Sequence, residues 1–470
     1  MAESGQAVPS GAYRHWLVER IAGFGDRPFL ILAGRTYSYA ELSTAIRAAL
    51  TQIDTAGIKP GEGVVIAGDY SLAGVAWLLA LMERAAIAIP VTPGAAVEEA
   101  TLIAGAGASW KVAVGREDAA LTVLPAGENP VLYAALRTAG APGLVLFSSG
   151  STGKPKAMVH DLDQLTEPHR EKREKKLRLL AFLLFDHIGG LNTLFGGLAT
   201  GACLVIPTTR DPDEVCQLIA AHSVNVLPTS PTFLNLILAG EAHRRHDLSS
   251  LRIITYGTEP MPAHLLTRLK TELGGVKFLQ TFGTSETGIY RTVSKSSDST
   301  WMKIEDPGVE TRIVEGELWV RSQTRILGYL DRPADQFTPD GWFRTGDLVE
   351  EGADGYLRIR GRRSEIINVG GQKVFPAEVE STLLEMPGVV DCAVRGEANA
   401  ITGQRVVADV VTAAAVTDLE LQRAVRLFCR DRLAAFKIPS RVRRVAAIAV
   451  SGRFKKDRQG ATIAPVQPDA

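Results

Sequence analysis

The sequence predicts an α/β protein followed by a smaller α+β part at its C-terminal end. Short apolar runs alternate with helix-like segments for most of the 470 residues, which is the pattern of parallel α/β layers. Past about residue 312 the texture changes to short strands separated by Gly and Asp. At roughly 150 residues per domain, the length allows about three units, or one large domain plus a small one.

Gly63–Ala67 reads as a strand, residues 71–84 as a helix and Ala88–Val91 as the next strand. The Tyr70–Met82 run is apolar but too short to span a bilayer, so it reads as a buried helix. Lys111–Val114, Gly143–Phe147, Leu179–Phe185, Cys203–Ile206, Asn225–Leu227 and Arg252–Thr255 are further strands, with helices at Asp213–His222 and Pro231–Ala239. Beyond them Glu317–Arg321, Tyr356–Ile359, Lys373–Phe375 and Cys392–Arg395 read as short strands. Asp354-Gly355 is a hairpin-type turn signal. Pro376–Met386 reads as a helix with Pro near its first position, and Leu419–Leu433 as another. Gly361–Glu365 is polar and turn-prone, which divides the chain into domains 1–361 and 362–470. No internal repeat of solenoid length is present.

Composition removes several function classes. Hydrophobic residues at 46% and charged residues at 22% fit a globular chain. Basic and acidic side chains balance at 52 each, so neither a nucleic-acid partner nor an anionic membrane partner is expected. Cys203, Cys216, Cys392 and Cys429 lie far apart, against a zinc cluster or a disulfide framework and in favour of a reducing cytoplasm. Met1–Trp16 has no basic start followed by an apolar run, so no signal peptide is expected. Glu167–Arg178 mixes both charge signs, with Glu171/Lys175 and Glu174/Arg178 at helical spacing, and reads as a solvated helix or loop.

The strand ending at Phe147 runs into Ser148, Ser149, Gly150, Ser151, Thr152, Gly153, Lys154, Pro155 and Lys156. Such a segment is an anion cradle: glycines let backbone N–H groups converge, hydroxyls add donors and lysines add charge. Its spacing is not that of the Walker loop, because Gly150 and Gly153 are too close and Pro155 follows Lys154.

Ser148–Lys156 resembles the phosphate-binding motif of the adenylate-forming superfamily, which includes acyl- and aryl-CoA synthetases, peptide-synthetase adenylation domains and luciferases. Further motifs follow in the same order, and the resemblance runs from about residue 15 to 458. It implies a large N-terminal α/β domain with layered sheets and a small mobile C-terminal α+β domain. Asp186-His187-Ile-Gly-Gly190 resembles the motif at the carboxylate pocket, with His187 in the histidine place and Gly189 and Gly190 leaving room for substrate. Gly257, Thr258 and Glu259 resemble the adenine-contacting turn. Gln280, Thr281, Phe282, Gly283, Ser285 and Glu286 resemble a motif in which Phe282 would stack on adenine and Ser285 would bond the α-phosphate. Glu286 would hold Mg²⁺, a hard cation suited to a carboxylate. Asp347, in Gly341-Trp-Phe-Arg-Thr-Gly-Asp347, resembles the aspartate that accepts bonds from both ribose hydroxyls. Arg362 resembles the hinge arginine that reaches ribose or phosphate, and Ser364 stands where many members carry Asp or Lys. Gly370 and Gly371 would let the backbone approach a pantetheine thiol, although the same glycines suit an ordinary turn. Thr229, Thr232, Thr281 and Gly288 are implied to line the acid pocket.

The activity implied is an ATP-dependent acid–thiol ligase that forms an acyl-CoA through acyl-AMP, with ATP, Mg²⁺, coenzyme A and a carboxylic acid as its small-molecule partners. The pattern breaks at Ser451-Gly452-Arg453, where the family has lysine third. Arg453 is bulkier and planar, so the exchange is not conservative, and Lys455 or Lys456 is the nearest substitute. Three alternatives stay open: an enzyme that converts acyl-AMP supplied by a partner adenylating enzyme, one that loads a carrier protein, and a non-catalytic nucleotide-binding protein. Residues 421–460 hold twelve Lys/Arg and two Asp, a solvent face that could also attract CoA phosphates or an acidic carrier protein.

Overall fold

Strand Gly63–Ala67, helix Leu72–Glu83 and strand Ile87–Val91 form a β–α–β unit whose strands pair in parallel. All twelve residues of the helix are buried, each large apolar side chain contributing roughly 1.5–3 kcal/mol by leaving water. Its first turn is capped by Ser71, whose hydroxyl accepts a bond from the Gly74 amide at 2.9 Å. These elements belong to a computed structural model that describes residues 15–92, 96–125, 130–148, 155–451 and 454–458. Packing divides the chain into two compact units, and each is a mixture of distant segments.

The first unit holds the described residues up to Leu177 together with Leu184–Ile206 and Thr324–Ala334. Its larger sheet runs Gly328–Tyr329, Lys156–Asp161, Gly143–Ser148, Ile87–Val91, Gly63–Ala67, Ala108–Val114, Ala119–Val123. The inner four strands are parallel and the outer ones antiparallel. Purely parallel layers are therefore found only at the centre, where helices cover the strands. A smaller group pairs Pro28–Leu32 with Cys203–Ile206 and Arg35–Ser38.

The second unit contains Arg178–Leu183, Pro207–Gln323 and the described residues from Asp335 onward. Arg178–Leu180, Val226–Thr229, Ile253–Tyr256 and Lys277–Gln280 are parallel neighbours. A six-stranded antiparallel sheet follows, including Val309–Val314, Glu317–Ser322, Phe343–Glu351 and Leu357–Arg362. The turn at Gly355, with φ of 75°, joins the last two as the sequence predicts. The C-terminal α+β section pairs Val389–Asn399 with Gly403–Thr412 and packs Pro376–Leu383 and Asp418–Cys429 onto them. It has its own core of Val379, Leu383, Val394, Val406 and Val425.

One expectation needs correction. The apolar run Leu179–Phe185 is a strand only over Arg178–Leu180, because the Phe182 carbonyl turns away to accept a bond from Arg210 Nε at 2.7 Å. Glu167–Arg178 is, past the short turn Glu167–His169, an exposed loop, one of the two readings of its mixed charges, and Glu174 pairs with Arg27 at 2.8 Å. Among the described residues no helix is long and apolar enough to cross a membrane.

Candidate active site

Three parallel strands of the second unit end level with one another. Thr229 lies beside Tyr256, and Tyr256 beside Gln280. The chain beyond the last two strands forms adjacent turns, Gly257–Pro260 and Thr281–Gly283, and both line a pocket. Carboxyl ends of parallel strands are the usual mouth for a ligand in α/β folds. The turns are clamped together: Thr281 N and Oγ1 both donate to the Tyr256 carbonyl, at 2.7 and 3.1 Å. A Cβ on Gly257 would lie 2.6 Å from Thr281 Oγ1, so only glycine fits there. Thr258 follows with φ of 72°, an outlier for a β-branched residue of the kind that gathers at ligand sites. Glu259 Oε1 accepts a bond from the Thr232 amide at 2.7 Å, and burial raises its pKa above the usual carboxylate range.

The opposite wall comes from the antiparallel sheet. Asp347 is 7% exposed and faces Arg362 across neighbouring strands, with Nε 3.2 Å from Oδ1. Burial pushes the Asp347 carboxyl up although Arg362 pulls it down, while Asp347 itself raises the Arg362 guanidinium. The loop before Asp347 is fixed by Gly346 N, which donates to Glu317 Oε1 at 2.9 Å, and by the Thr345 hydroxyl, which accepts from Asp347 N at 3.0 Å. Gly361, Ile359 and Glu365 complete that wall.

The third contribution is the segment 454–458. Lys455, Lys456 and Arg458 all line the pocket. Lys456 Nζ lies 2.8 Å from Asp391 Oδ1 and 2.7 Å from the Cys392 carbonyl, with both ionic side chains under 10% exposed. Burial works against its charge, but Asp391 and Glu380 raise its pKa overall. Arg458 binds Glu380 at 2.8 and 2.9 Å and Glu365 at 3.3 Å. Burial opposes ionisation of Glu380, yet Arg458 and Lys456 hold its carboxyl below the usual range. Lys455 acts electrostatically on Asp347.

The pocket thus gathers Gly257, Thr258, Glu259, Gln280, Thr281, Phe282, Gly283, Asp347, Arg362 and Lys455 from the residues that the sequence singles out. Lys456, the other lysine offered as a substitute for the family's, lines it too, and Glu365 and Arg458 are additions. Neither carries a sequence signal of its own, and the two are paired with each other across the chain, Arg458 to Glu365 at 3.3 Å. Ser285 and Glu286 form the tip of the hairpin between Phe282–Thr284 and Gly288–Tyr290, where Gly288 has φ of 83°. Glu286 lies close enough to Arg362 to raise its pKa. Thr229 and Thr232 are 2% exposed and outside the pocket lining. Gly370 and Gly371, with φ of 56° and 83°, are the two-residue turn between Ile367–Val369 and Gln372–Val374, so the hairpin itself requires them.

In the first unit, Ser148 and Lys156 pair directly at the base of an antiparallel hairpin. Ser149, Gly150, Ser151, Thr152, Gly153 and Lys154 between them lie outside the described residues, as does Arg453. His187 caps helix Ile188–Thr200, its Nδ1 accepting from Gly189 N at 3.2 Å. Asp186 Oδ2 accepts from Thr92 N at 3.1 Å and from the Thr92 hydroxyl. Gly189 is buried. A Cβ on Gly190 would sit 1.9 Å from the Leu184 carbonyl oxygen and 2.7 Å from Tyr70 Oη. Packing of the protein on itself therefore demands glycine at 190, which corrects the reading that it leaves room for substrate.

Residues 17–330 match the model of the AMP-binding enzyme family, and residues 378–455 match the AMP-binding enzyme C-terminal domain. The chain belongs to the AMP-binding enzyme family. Within it the chain is of the adenylate-forming, acyl-CoA synthetase type. It is 29% identical over 467 residues to a 3-[(3aS,4S,7aS)-7a-methyl-1,5-dioxo-octahydro-1H-inden-4-yl]propanoyl:CoA ligase of Mycobacterium tuberculosis, covering 89% of this chain and 92% of that one. The ligase of the same name from Rhodococcus jostii is 32% identical over 330 residues, 67% of this chain and 64% of its own length. Among solved structures, the anthranilate CoA ligase AuaEII in complex with anthranoyl-AMP aligns with a TM-score of 0.80 at 20% identity, over 95% of this chain and 96% of that one. That alignment bears on the fold, a large α/β body with a smaller C-terminal part.

Proposed function

We propose that the chain is an ATP-dependent acid–thiol ligase. A carboxylate attacks the α-phosphorus of ATP, a P–O bond breaks, and acyl-AMP and pyrophosphate form. The thiol of coenzyme A then attacks the acyl carbon and AMP leaves with the bonding pair. The observation that carries this reading is the pocket itself. The buried Asp347 carboxylate, Arg362 and the Gly257–Pro260 and Thr281–Gly283 turns form one cavity with Lys455. In it Asp347 accepts bonds from the ribose hydroxyls, the Phe282 ring and the turn backbone hold adenine, and Lys455 places positive charge at the α-phosphate. The sequence Ser148–Lys156 adds hydroxyls and lysines suited to phosphate.

The donor set fits Mg²⁺. Mg²⁺ takes one or two carboxylates plus phosphate and water, and the Glu286 carboxylate lies near enough to Arg362 of the pocket to act on its charge. Glu286 is the carboxylate that would hold it, and the ion supplies charge neutralisation on the transferring phosphoryl group. Of the residues implied to receive the acid, Thr281 lines this pocket. Residues 362–470 act as a lid about a hinge near Gly361, a division supported by the family matches ending at residue 330 and resuming at 378. Four buried cysteines, free of disulfides among the described residues, support a reducing compartment such as the cytoplasm.

The test is pyrophosphate release with ATP, Mg²⁺ and a panel of acids, followed by thioester formation with coenzyme A and with a phosphopantetheinyl carrier protein. Release with at least one acid, and thioester on coenzyme A, is expected. No release with any acid, but thioester from synthetic acyl-AMP, would replace it with the single-step enzyme. Nucleotide binding without either reaction would leave a non-catalytic protein.

A further inference from the structure

Phe454 has φ of 53°, the left-handed region that non-glycine residues rarely occupy. Such strain persists only where the surroundings over-determine it, and here they do so through three contacts. The Phe454 ring lies 4.8 Å from Phe182 and 5.6 Å from Phe233 between centroids, and those two rings are 4.1 Å apart. Its carbonyl accepts a bond from Ser230 Oγ at 2.7 Å. Its amide donates to the Ser451 carbonyl at 2.8 Å. Ser230 is fully buried and its hydroxyl also accepts from Phe233 N at 3.1 Å, capping helix Pro231–Ala239. One hydroxyl thereby ties the helix start to the Phe454 backbone. The next residue is Lys455, which lines the nucleotide pocket, and the one after it is Lys456, locked to Asp391.

We propose that Phe454 is a positioning residue: an aromatic anchor that seats segment 454–458 so that Lys455 faces the phosphates of the bound nucleotide. The inference rests on the adenylation reading only for its consequence in turnover. Seating itself is a matter of nucleotide binding. Lys456 cannot take the same part without breaking its buried ion pair. Anchoring the preceding residue at both ring and carbonyl leaves Lys455 a fixed backbone from which to reach the pocket.

The experiment compares the full chain with Phe454→Ala, Phe454→Gly and Phe454→Leu, measuring affinity for ATP and for adenosine by calorimetry. Glycine adopts the observed φ freely, so Phe454→Gly separates loss of the ring from backbone strain. Expected is roughly tenfold weaker ATP binding in the Ala and Gly variants, as for a lost charge-assisted contact, with adenosine binding unchanged and Leu intermediate. ATP and adenosine weakening together, or neither changing, would overturn the anchor. Where wild-type protein exchanges pyrophosphate, the Ala variant should slow exchange more than thioester formation from acyl-AMP; equal slowing counts against the proposal. Failure of exchange in the wild type bears on the ligase reading alone, since the binding comparison still decides the anchor.

Discussion

Arg362 Nε stands 3.2 Å from Asp347 Oδ1, the two residues being direct cross-strand partners on Phe343–Glu351 and Leu357–Arg362. Asp347 is 9% exposed at its side chain and Arg362 is 50% exposed. The carboxylate is therefore fixed and desolvated, whereas the guanidinium can turn toward a ligand. Hydrogen bonds to a charged acceptor contribute about 1.5–3 kcal/mol each. Asp347→Ala should raise KM for ATP by roughly 10- to 100-fold and leave the melting temperature within a few degrees. Steady-state kinetics with ATP varied checks this; an unchanged KM removes Asp347 from the nucleotide site.

Lys455 and Lys456 are neighbours with opposite employment. Lys456→Met leaves Asp391 buried without its cation, at a cost of about 3–5 kcal/mol, so chemical denaturation should show an early midpoint. Lys455→Met should leave that midpoint in place and reduce the pyrophosphate exchange rate by roughly 100-fold or more, as for loss of a transition-state donor. If stability follows Lys455 and activity follows Lys456, the assignment is reversed.

His169 is 3% exposed, and Lys172 Nζ lies 2.7 Å from its Nδ1. Burial first, and Lys172 second, lower its pKa to about 3 from an ordinary value of 6.5. The folded state thus keeps the ring neutral where the unfolded chain takes up a proton. Stability should fall as pH drops from about 6.5 towards 3 and stop falling on this account below that. Urea midpoints across this window, compared between wild type and His169→Gln, should show a shallower pH slope in the variant. Equal slopes would mean that His169 does not carry the effect.

Gly190 tests the packing beside His187. A Cβ there would meet the Leu184 carbonyl oxygen at 1.9 Å, a backbone atom that cannot swing aside. Gly190→Ala should destabilise by about 1–3 kcal/mol or more, read as a lower melting temperature in the absence of any substrate. An unaltered melting temperature with a changed acid preference would restore the substrate-space reading.

Much of the fold was legible from residues that act locally. Cys203–Ile206 and Pro231–Ala239 have the boundaries that their apolar runs and flanking punctuation predict. Pro376 begins its helix and Gly355 makes its turn for conformational reasons contained in those residues. The family resemblance of the motifs likewise pointed to Gly257, Phe282, Asp347 and Arg362, which line one pocket. The reading failed where a distant partner decides: Leu179–Phe185 leaves its strand, and the Phe182 carbonyl meets Arg210.

The sequence by itself determined the succession of elements and the glycine-bearing turns, since periodicity and φ preference are properties of short segments, and the order of its motifs carried the resemblance that implies the candidate site residues. Only the tertiary structure decided how the C-terminal charges are used. Lys456 meets Asp391 across 65 residues and Arg458 meets Glu380 across 78, so part of a segment that reads as a solvated basic face is interior. Desolvation makes the difference: a buried cation must be paired where it lies, and the partner comes from whichever strand the fold places beside it.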